Sequence, residues 1–347
     1  MHFSSDNASG VAPEIMAALA RANEGPAWAY GRDAITGRLD ALYSDLFERD
    51  VRVFPLATGT AANALILASL TPPWGAVFCE QMSHINVDEG GAPEFYSNGA
   101  KLIPVSGRHG RIDVAGLEGA FAALPRGDVH HVLPKVLSLT QATESGTVYS
   151  LEDVGVLCDR AHKEGLHVHM DGARFANAVA HLNCTPADVT WKAGVDALSF
   201  GATKNGAMAA EAAIFFDPSL AEQFEARRMR GGHLFSKMRF LSAQLEAYVT
   251  DDLWLRLAAH ANGQAQGLVG IVEETAGVDL VHPVESDEIF VRFEDKAAIS
   301  RLRDSDVSFV PWDPAAGVIR LVASFQTTDE EVRQFRAALH SAVGDQA

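Results

Sequence analysis

Three stretches of this chain end apolar runs with residue types that do chemistry. Asp171 closes the strand-like LHVHMD and is followed at once by Gly172 and Arg174. A carboxylate ending a core strand is costly if left unpaired, so something positive is expected to meet it. Lys204 follows the strand-like ALSF in the small-residue loop GATKNGAM. Alone, a lysine there reads as a solvated side chain; with an acid ending the preceding strand, it reads as a reactive amine. Thr58, Gly59 and Thr60 lie between VRVFPLA and the helix-like AANALILASL, whose start is expected near Ala61. Free N–H groups and hydroxyls at such a start suit a phosphate, although Thr60 as an ordinary N-cap accounts for the same residues.

A phosphate cradle, a strand-end acid and a loop lysine together are what pyridoxal 5′-phosphate needs. The lysine forms a Schiff base, the carboxylate pairs with the protonated pyridine nitrogen, and the ring draws electrons from a bond to Cα. One alternative is a metal. His167, His169 and Asp171 alternate along one strand and share a face, a spacing that can ligate a divalent ion. Asp171 has a better partner in the ring nitrogen, so no metal is expected, and His169 reads as a core group beside it. His130 and His131 read as strand residues without a role.

The elements that position these residues alternate. VRVFPLA, WGAVFCE, AKLIPVS, HHVLPKVLSLTQAT, LHVHMD, ALSFGA and AAIFFD read as strands, and amphipathic helical stretches separate several of them. One of these helices has Ser150 as N-cap, Asp153 three residues on and Gly165 at its stop. The alternation predicts an α/β fold with a mainly parallel sheet covered on both faces, and ligands of such sheets sit at the carboxyl ends of the strands. Residues 222–270 read as a helical connector. EIFVRF, GVIRLVAS and the closing helix TDEEVRQFRAALHSAV read as a small α+β unit. The expected division is an N-terminal segment, 1–30, a large cofactor-binding domain, 31–250, and a small C-terminal domain, 251–347.

The bulk numbers narrow the class. With 347 residues, 48% hydrophobic and 21% charged, the chain has ordinary globular composition and length enough for a large domain with an appendage. A net charge of −17 argues against nucleic acid, which needs a basic surface. Cys79, Cys158 and Cys184 are far apart with no CxxC pair, which suggests a reducing cytoplasm. No signal peptide and no membrane span is expected.

In order along the chain, FPLATGTAAN, SHINVDEGG, HVHMDGARFANAVA, the Lys204 loop, ARRMRGG and VIRLVASFQTTDEEV resemble the motifs of low-specificity L-threonine aldolases of the β-eliminating-lyase, fold-type I group. The resemblance runs from Ser4 to the last helix. It implies an aspartate-aminotransferase-like fold and retro-aldol cleavage of L-β-hydroxy-α-amino acids to glycine and an aldehyde. It further implies a homodimer or a homotetramer built as a dimer of dimers, with active sites at the subunit contact.

Residue by residue, the resemblance places His84 against the cofactor ring and near the β-hydroxyl proton, and Glu89 near the substrate hydroxyl. Asp88 beside Glu89 reads as solvated. Gly59 and Thr60 match the phosphate loop, Asp171 the pyridine partner and Lys204 the Schiff-base lysine. Arg174 is expected within reach of the ring hydroxyl or substrate carboxylate. Arg320 is expected to grip that carboxylate, a role its planar fork suits. Tyr30 and Gly31 match a subunit contact, and Arg228 and Arg230 an arginine pair near the phosphate or a neighbouring subunit.

The chain departs from the better-known pattern in three places. GATKNGAMAAEA replaces a loop like LSKGLGAPVGS, Thr140 to Thr143 replace ENTH, and HLFSKMRF, with Lys237 inside, replaces a glycine-rich stretch. These changes surround the pocket, so they bear on substrate size and diastereomer preference and suit phenylserine-like substrates. The rival readings are another enzyme with the same cofactor, an aminotransferase or β-lyase, and a cofactor-binding protein without turnover.

Overall fold

The computed structural model describes residues 1–124 and 127–344. Its centre is a seven-stranded sheet made of β1 (Arg52–Leu56), β2 (Gly75–Glu80), β3 (Lys101–Val105), β4 (Leu133–Thr140), β5 (His167–Gly172), β6 (Ala197–Gly201) and β7 (Glu211–Phe215). The spatial order is β3-β2-β4-β5-β6-β7-β1. Strand β7 runs antiparallel to both its neighbours, and the remaining pairs are parallel. The central strands read from sequence form this sheet because β2, β6 and β7 are mainly apolar and buried on both faces, while β1, β3 and β4 expose residues at their N-terminal ends.

The helix Gly59–Leu70 is apolar all round and buried along nearly its whole length, as expected of a helix enclosed by protein on every side. Its cap differs from the sequence expectation. The N-cap is Thr58, whose hydroxyl accepts the Ala61 N–H at 3.1 Å, and the helix starts at Gly59 rather than near Ala61. That frees Thr60 from capping. The helix Leu151–Lys163 carries the expected capping box, with Ser150 and Asp153 bonded reciprocally.

Two other expectations are corrected. Residues 222–270 are not one helical connector but parts of three helices, Phe224–Arg230, Arg239–Val249 and Leu253–Glu274. A non-helical stretch from Gly231 to Met238 separates the first two, because Gly231 and Gly232 end the helical run and Gly232 takes a positive φ of 77°. His130 and His131 lie in a turn ahead of β4, where Asp128 accepts from the His130 backbone and ring, so neither is a strand residue.

The C-terminal part is a four-stranded antiparallel sheet of β8 (Val278–Leu280), β9 (Glu288–Phe293), β10 (Val310–Asp313) and β11 (Val318–Val322), in the order β8-β9-β11-β10. Helices Ala297–Asp304 and Asp329–Val343 complete it. Helix Leu253–Glu274 belongs to both cores: Trp254 and Ala258 pack into the large one, Leu268 and Val272 into the small one. The N-terminal segment also joins them. Phe3 sits in the small core, with its N–H donating to Ser308 at 2.9 Å and its carbonyl accepting from Val322 at 2.8 Å, whereas Ala12 and Ile15 pack in the large core.

Candidate active site

The parallel strands deliver three polar residues to one end of the sheet: Thr140 at the end of β4, Asp171 near the end of β5 and Lys204 just past β6. Register sets them side by side, with Asp171 opposite Thr140 on one side and Ser199 on the other. A cleft of about 520 Å³ opens there, within the range that holds small ligands. Its walls include Gly59, Thr60, His84, Glu89, Asp171 and Lys204, with Arg174 and Arg320 also lining it. Tyr30, Arg228 and Arg230 do not line it.

Asp171 is buried, with a donor on each carboxyl oxygen. Asn63 Nδ2 donates to Oδ2 at 2.7 Å and the Ala173 N–H to Oδ1 at 3.0 Å. Each carboxylate oxygen can take a second donor, so capacity remains for a cationic ring nitrogen. His169, two residues back, is fixed between the hydroxyls of Ser138 at 2.9 Å and Ser199 at 3.0 Å, and burial pushes its pKa down to about 4. It acts as a neutral bridge between three strands. His167 instead approaches Asp196 at 3.8 Å.

Lys204 is carried by a single tight turn, Thr203–Asn205. The Asn205 amide fixes that turn by donating to the Tyr248 hydroxyl at 2.7 Å and the Trp254 carbonyl at 2.8 Å. Gly206 ends it at φ 108°, a conformation side chains rarely adopt. From β7, Glu211 reaches back to accept the Ala202 N–H at 3.2 Å. Burial pushes Glu211 up to about 7, against the pull of Thr203 and Lys204.

His84 opens the short helix His84–Val87. Its Nδ1 lies 2.9 Å from Glu89 Oε1, which also accepts from Asn63 at 2.8 Å. The Glu89 hydrogen bond raises the His84 pKa, and burial raises that of Glu89. With Nδ1 turned to Glu89, Nε2 is the nitrogen left for a substrate proton.

The two arginines differ. Arg320, on β11, stacks over the Trp312 ring at 5.2 Å and donates through Nη1 to Glu288 at 3.3 Å; its Nε has no protein partner. Arg174, expected to reach a ligand, is largely engaged by protein. Its Nε donates to Asp6 at 2.8 Å and lies 3.4 Å from Asp287, and its Nη1 lies 3.0 Å from Glu288. Burial opposes its charge, but the Asp6, Glu288 and Asp287 carboxylates outweigh that and hold it protonated. Burial also drives Asp287 well above the usual carboxylate range, with Asp6 and Glu288 adding to the effect.

Outside the cleft, Tyr30 is half exposed with φ 57°. Arg228 is buried, donating to the Pro55 carbonyl at 3.3 Å and to Glu225, and Arg230 is exposed. Sequence reasoning missed Asn63, Glu144, Glu211, Glu288 and Trp312. A lone polar residue in an apolar run, the feature that singled out Asp171 and Arg320, also marks Asn63 and Glu211.

Comparison with known proteins identifies the family and the fold. The β-eliminating lyase family model matches residues 2–296. A low-specificity L-threonine aldolase of Pseudomonas aeruginosa is 44% identical over 99% of this chain and 98% of its own length. One from another Pseudomonas strain is 43% identical over 98% and 97%. The threonine aldolase structure of Leishmania major superposes with a TM-score of 0.91 at 29% identity, covering 99% of both chains. The chain is therefore a member of the β-eliminating-lyase family, and low-specificity L-threonine aldolases match it along nearly its whole length.

Proposed function

We propose that this protein cleaves L-threonine, L-allo-threonine and phenylserine-like L-β-hydroxy-α-amino acids to glycine and an aldehyde. The observation that carries the reading is convergence. Asp171 and Lys204, from neighbouring strand ends, share one cleft with His84 and with Arg320 from the small sheet. The cofactor of this family is pyridoxal 5′-phosphate, and the residues present fit it. A Cβ on Gly59 would meet nothing within 4 Å, so the helix start is open to a phosphate beside Thr60. Asp171 keeps acceptor capacity for the ring nitrogen, and Lys204 supplies the amine that anchors the aldehyde carbon.

When bound, the cofactor supplies an electron sink for the charge left at Cα as the Cα–Cβ bond breaks. The protein's own residues do the rest. Arg320 holds the substrate carboxylate through its unpartnered edge, with Trp312 and Glu288 fixing the guanidinium plane. Holding the carboxylate there would fix the orientation of the substituents on Cα, and so which of its bonds is presented for cleavage. His84 Nε2, directly or through water, takes the β-hydroxyl proton, and Glu89 holds the ring in the tautomer that leaves Nε2 free. We assign Arg174 to the network that places Glu288, and so Arg320, rather than to the substrate itself.

We further infer a homodimer or homotetramer in a reducing, cytoplasmic setting. Trp28, Phe95 and Met229 are exposed large apolar side chains for a second copy to cover, with Tyr30 and Arg230 as contact residues, whereas Arg228, buried against Pro55 and Glu225, is not available to one. Cys79 and Cys158 are unpaired and buried. No helix among the described residues is long and apolar enough to cross a membrane.

The test is glycine release from L-threonine, L-allo-threonine and phenylserine by the cofactor-loaded protein, beside Lys204→Ala. Glycine from the wild type alone supports the reading, and the substrate ranking shows the pocket's preference. No glycine, with keto acid or ammonia formed instead, would replace aldol cleavage by an aminotransferase or β-lyase reaction.

A further inference from the structure

Two carboxylates lining the cleft, Glu89 and Glu144, each keep one enclosed oxygen with no hydrogen-bond or ion-pair partner, but only Glu89 is already tied to another catalytic side chain, the His84 ring. Glu89 engages His84 and Asn63, Glu211 holds the lysine turn, Glu288 faces two arginines, and Asp171 has a donor on each oxygen. Glu144, in the turn after β4, is satisfied on one side only. Its Oε1 accepts both the His84 backbone N–H at 2.7 Å and the Thr140 hydroxyl at 3.0 Å. Its Oε2 is closed off from solvent and has no partner.

The turn does not leave this arrangement to chance. The Gln141 side chain clamps Tyr149, donating to its carbonyl at 2.9 Å and accepting from its N–H at 3.0 Å, and the hydroxyls of Thr143 and Thr147 bond at 2.8 Å. The carboxyl is thus held in place with one oxygen doubly bonded and the other bare.

Two donors on Oε1 make Oε2 the oxygen that carries the proton when the group is neutral. A buried O–H without an acceptor costs about 1–3 kcal/mol, which a ligand oxygen would offset. The titratable groups facing Glu144 are His84, Asp171 on β5, the Cys79 thiol on β2 and the Tyr149 phenol. Enclosure first and the Asp171 charge second push the Glu144 pKa up to about 7. The carboxyl therefore titrates near neutrality and holds its proton on the acid side of about pH 7.

Resting on the proposed function for the identity of the ligands, we propose that Glu144 is a further residue of this active site, donating a hydrogen bond from Oε2 to an oxygen of the bound cofactor or of the substrate. The role is donation by a neutral acid, and no bond to carbon is made or broken by Glu144. This predicts a ranking that simple packing does not. Glutamine keeps a donor and cannot titrate, whereas methionine keeps the volume and has no donor.

The experiment compares wild type, Glu144→Gln and Glu144→Met, all loaded with pyridoxal 5′-phosphate and matched for thermal melting. Two profiles are followed against pH: the visible absorbance of the bound cofactor without amino acid, and kcat/KM for glycine release. Glu144→Gln is expected to abolish a wild-type titration near neutrality and to retain at least about tenfold more kcat/KM than Glu144→Met, the worth of one hydrogen bond. Loss of the absorbance titration identifies a cofactor oxygen as acceptor; loss confined to the kcat/KM profile identifies a substrate oxygen. Equal defects in the two variants, with both wild-type profiles preserved, would overturn the proposal. Absence of glycine from the wild type would instead sink the aldolase reading, and the absorbance comparison would still decide the role of Glu144.

Discussion

Glu288 and Arg320 lie diagonally across adjacent strands of the small sheet, where Glu288 is opposite Val322 and Arg320 opposite Phe290, and Arg320 Nη1 donates to Glu288 Oε1 at 3.3 Å. The other carboxyl oxygen lies 3.0 Å from Arg174 Nη1, so one acid serves two arginines from different parts of the chain. Removing a partner from a buried ion pair leaves uncompensated charge and costs about 3–5 kcal/mol. Glu288→Gln is expected to lower unfolding stability by about 3 kcal/mol, read as a shift of the urea midpoint. A midpoint within experimental error of wild type would show that the two arginines do not depend on this acid.

Trp312 supports Arg320 from the other side. The guanidinium sits 5.2 Å from the ring centroid, and Phe290 packs edge-on against the same ring at 5.2 Å. An exposed cation–π contact contributes about 0.5–1 kcal/mol. Trp312→Ala is expected to raise KM about threefold with kcat nearly constant, because the carboxylate clamp loosens while the groups handling the proton stay in place. A fall in kcat at unchanged KM would place Trp312 in the chemical step instead.

How far the sequence revealed this site depended on the kind of signal. Strands β2, β5, β6, β7 and β9 were readable because buried strands are continuous apolar runs with clear stops. Asp171 and Arg320 stood out as charges inside such runs. The cap was not decidable, since Thr58 and Thr60 flank Gly59 and both are good capping residues; only the hydrogen bond to Ala61 separates them. Arg174 could be placed by motif, but its three carboxylate partners come from Asp6, Asp287 and Glu288, distant in sequence. Glu144 lies in a polar turn, where an acid ordinarily means solvent, and only the fold shows that one of its oxygens is enclosed.

The hydrogen bond from His84 to Glu89 predicts a shift in pH dependence. That bond raises the pKa of His84, so the protonated ring persists to higher pH than it otherwise would. In Glu89→Gln the protonated ring loses its carboxylate, and its pKa falls. If His84 acts as the base, the acidic limb of the kcat/KM profile moves to lower pH, by about one unit. An acidic limb that stays in place when Glu89 is neutralised would assign the base to another group.

Glu211 makes a prediction about stability rather than rate. Its folded pKa, about 7, lies above the ordinary carboxyl value because ionising it inside the protein is unfavourable. The folded state therefore binds a proton more tightly than the unfolded chain, and stability declines as pH rises from the unfolded pKa through the folded one. A shift of this size corresponds to roughly 3 kcal/mol between the two limits. Glu211→Gln keeps an oxygen for the Ala202 N–H and removes the titration. In cofactor-free protein the variant should gain on the wild type between pH 5 and pH 8 by roughly 3 kcal/mol, measured by urea denaturation at each pH. A difference between the two proteins that does not vary with pH would mean that the Lys204 charge already keeps Glu211 ionised in the folded state.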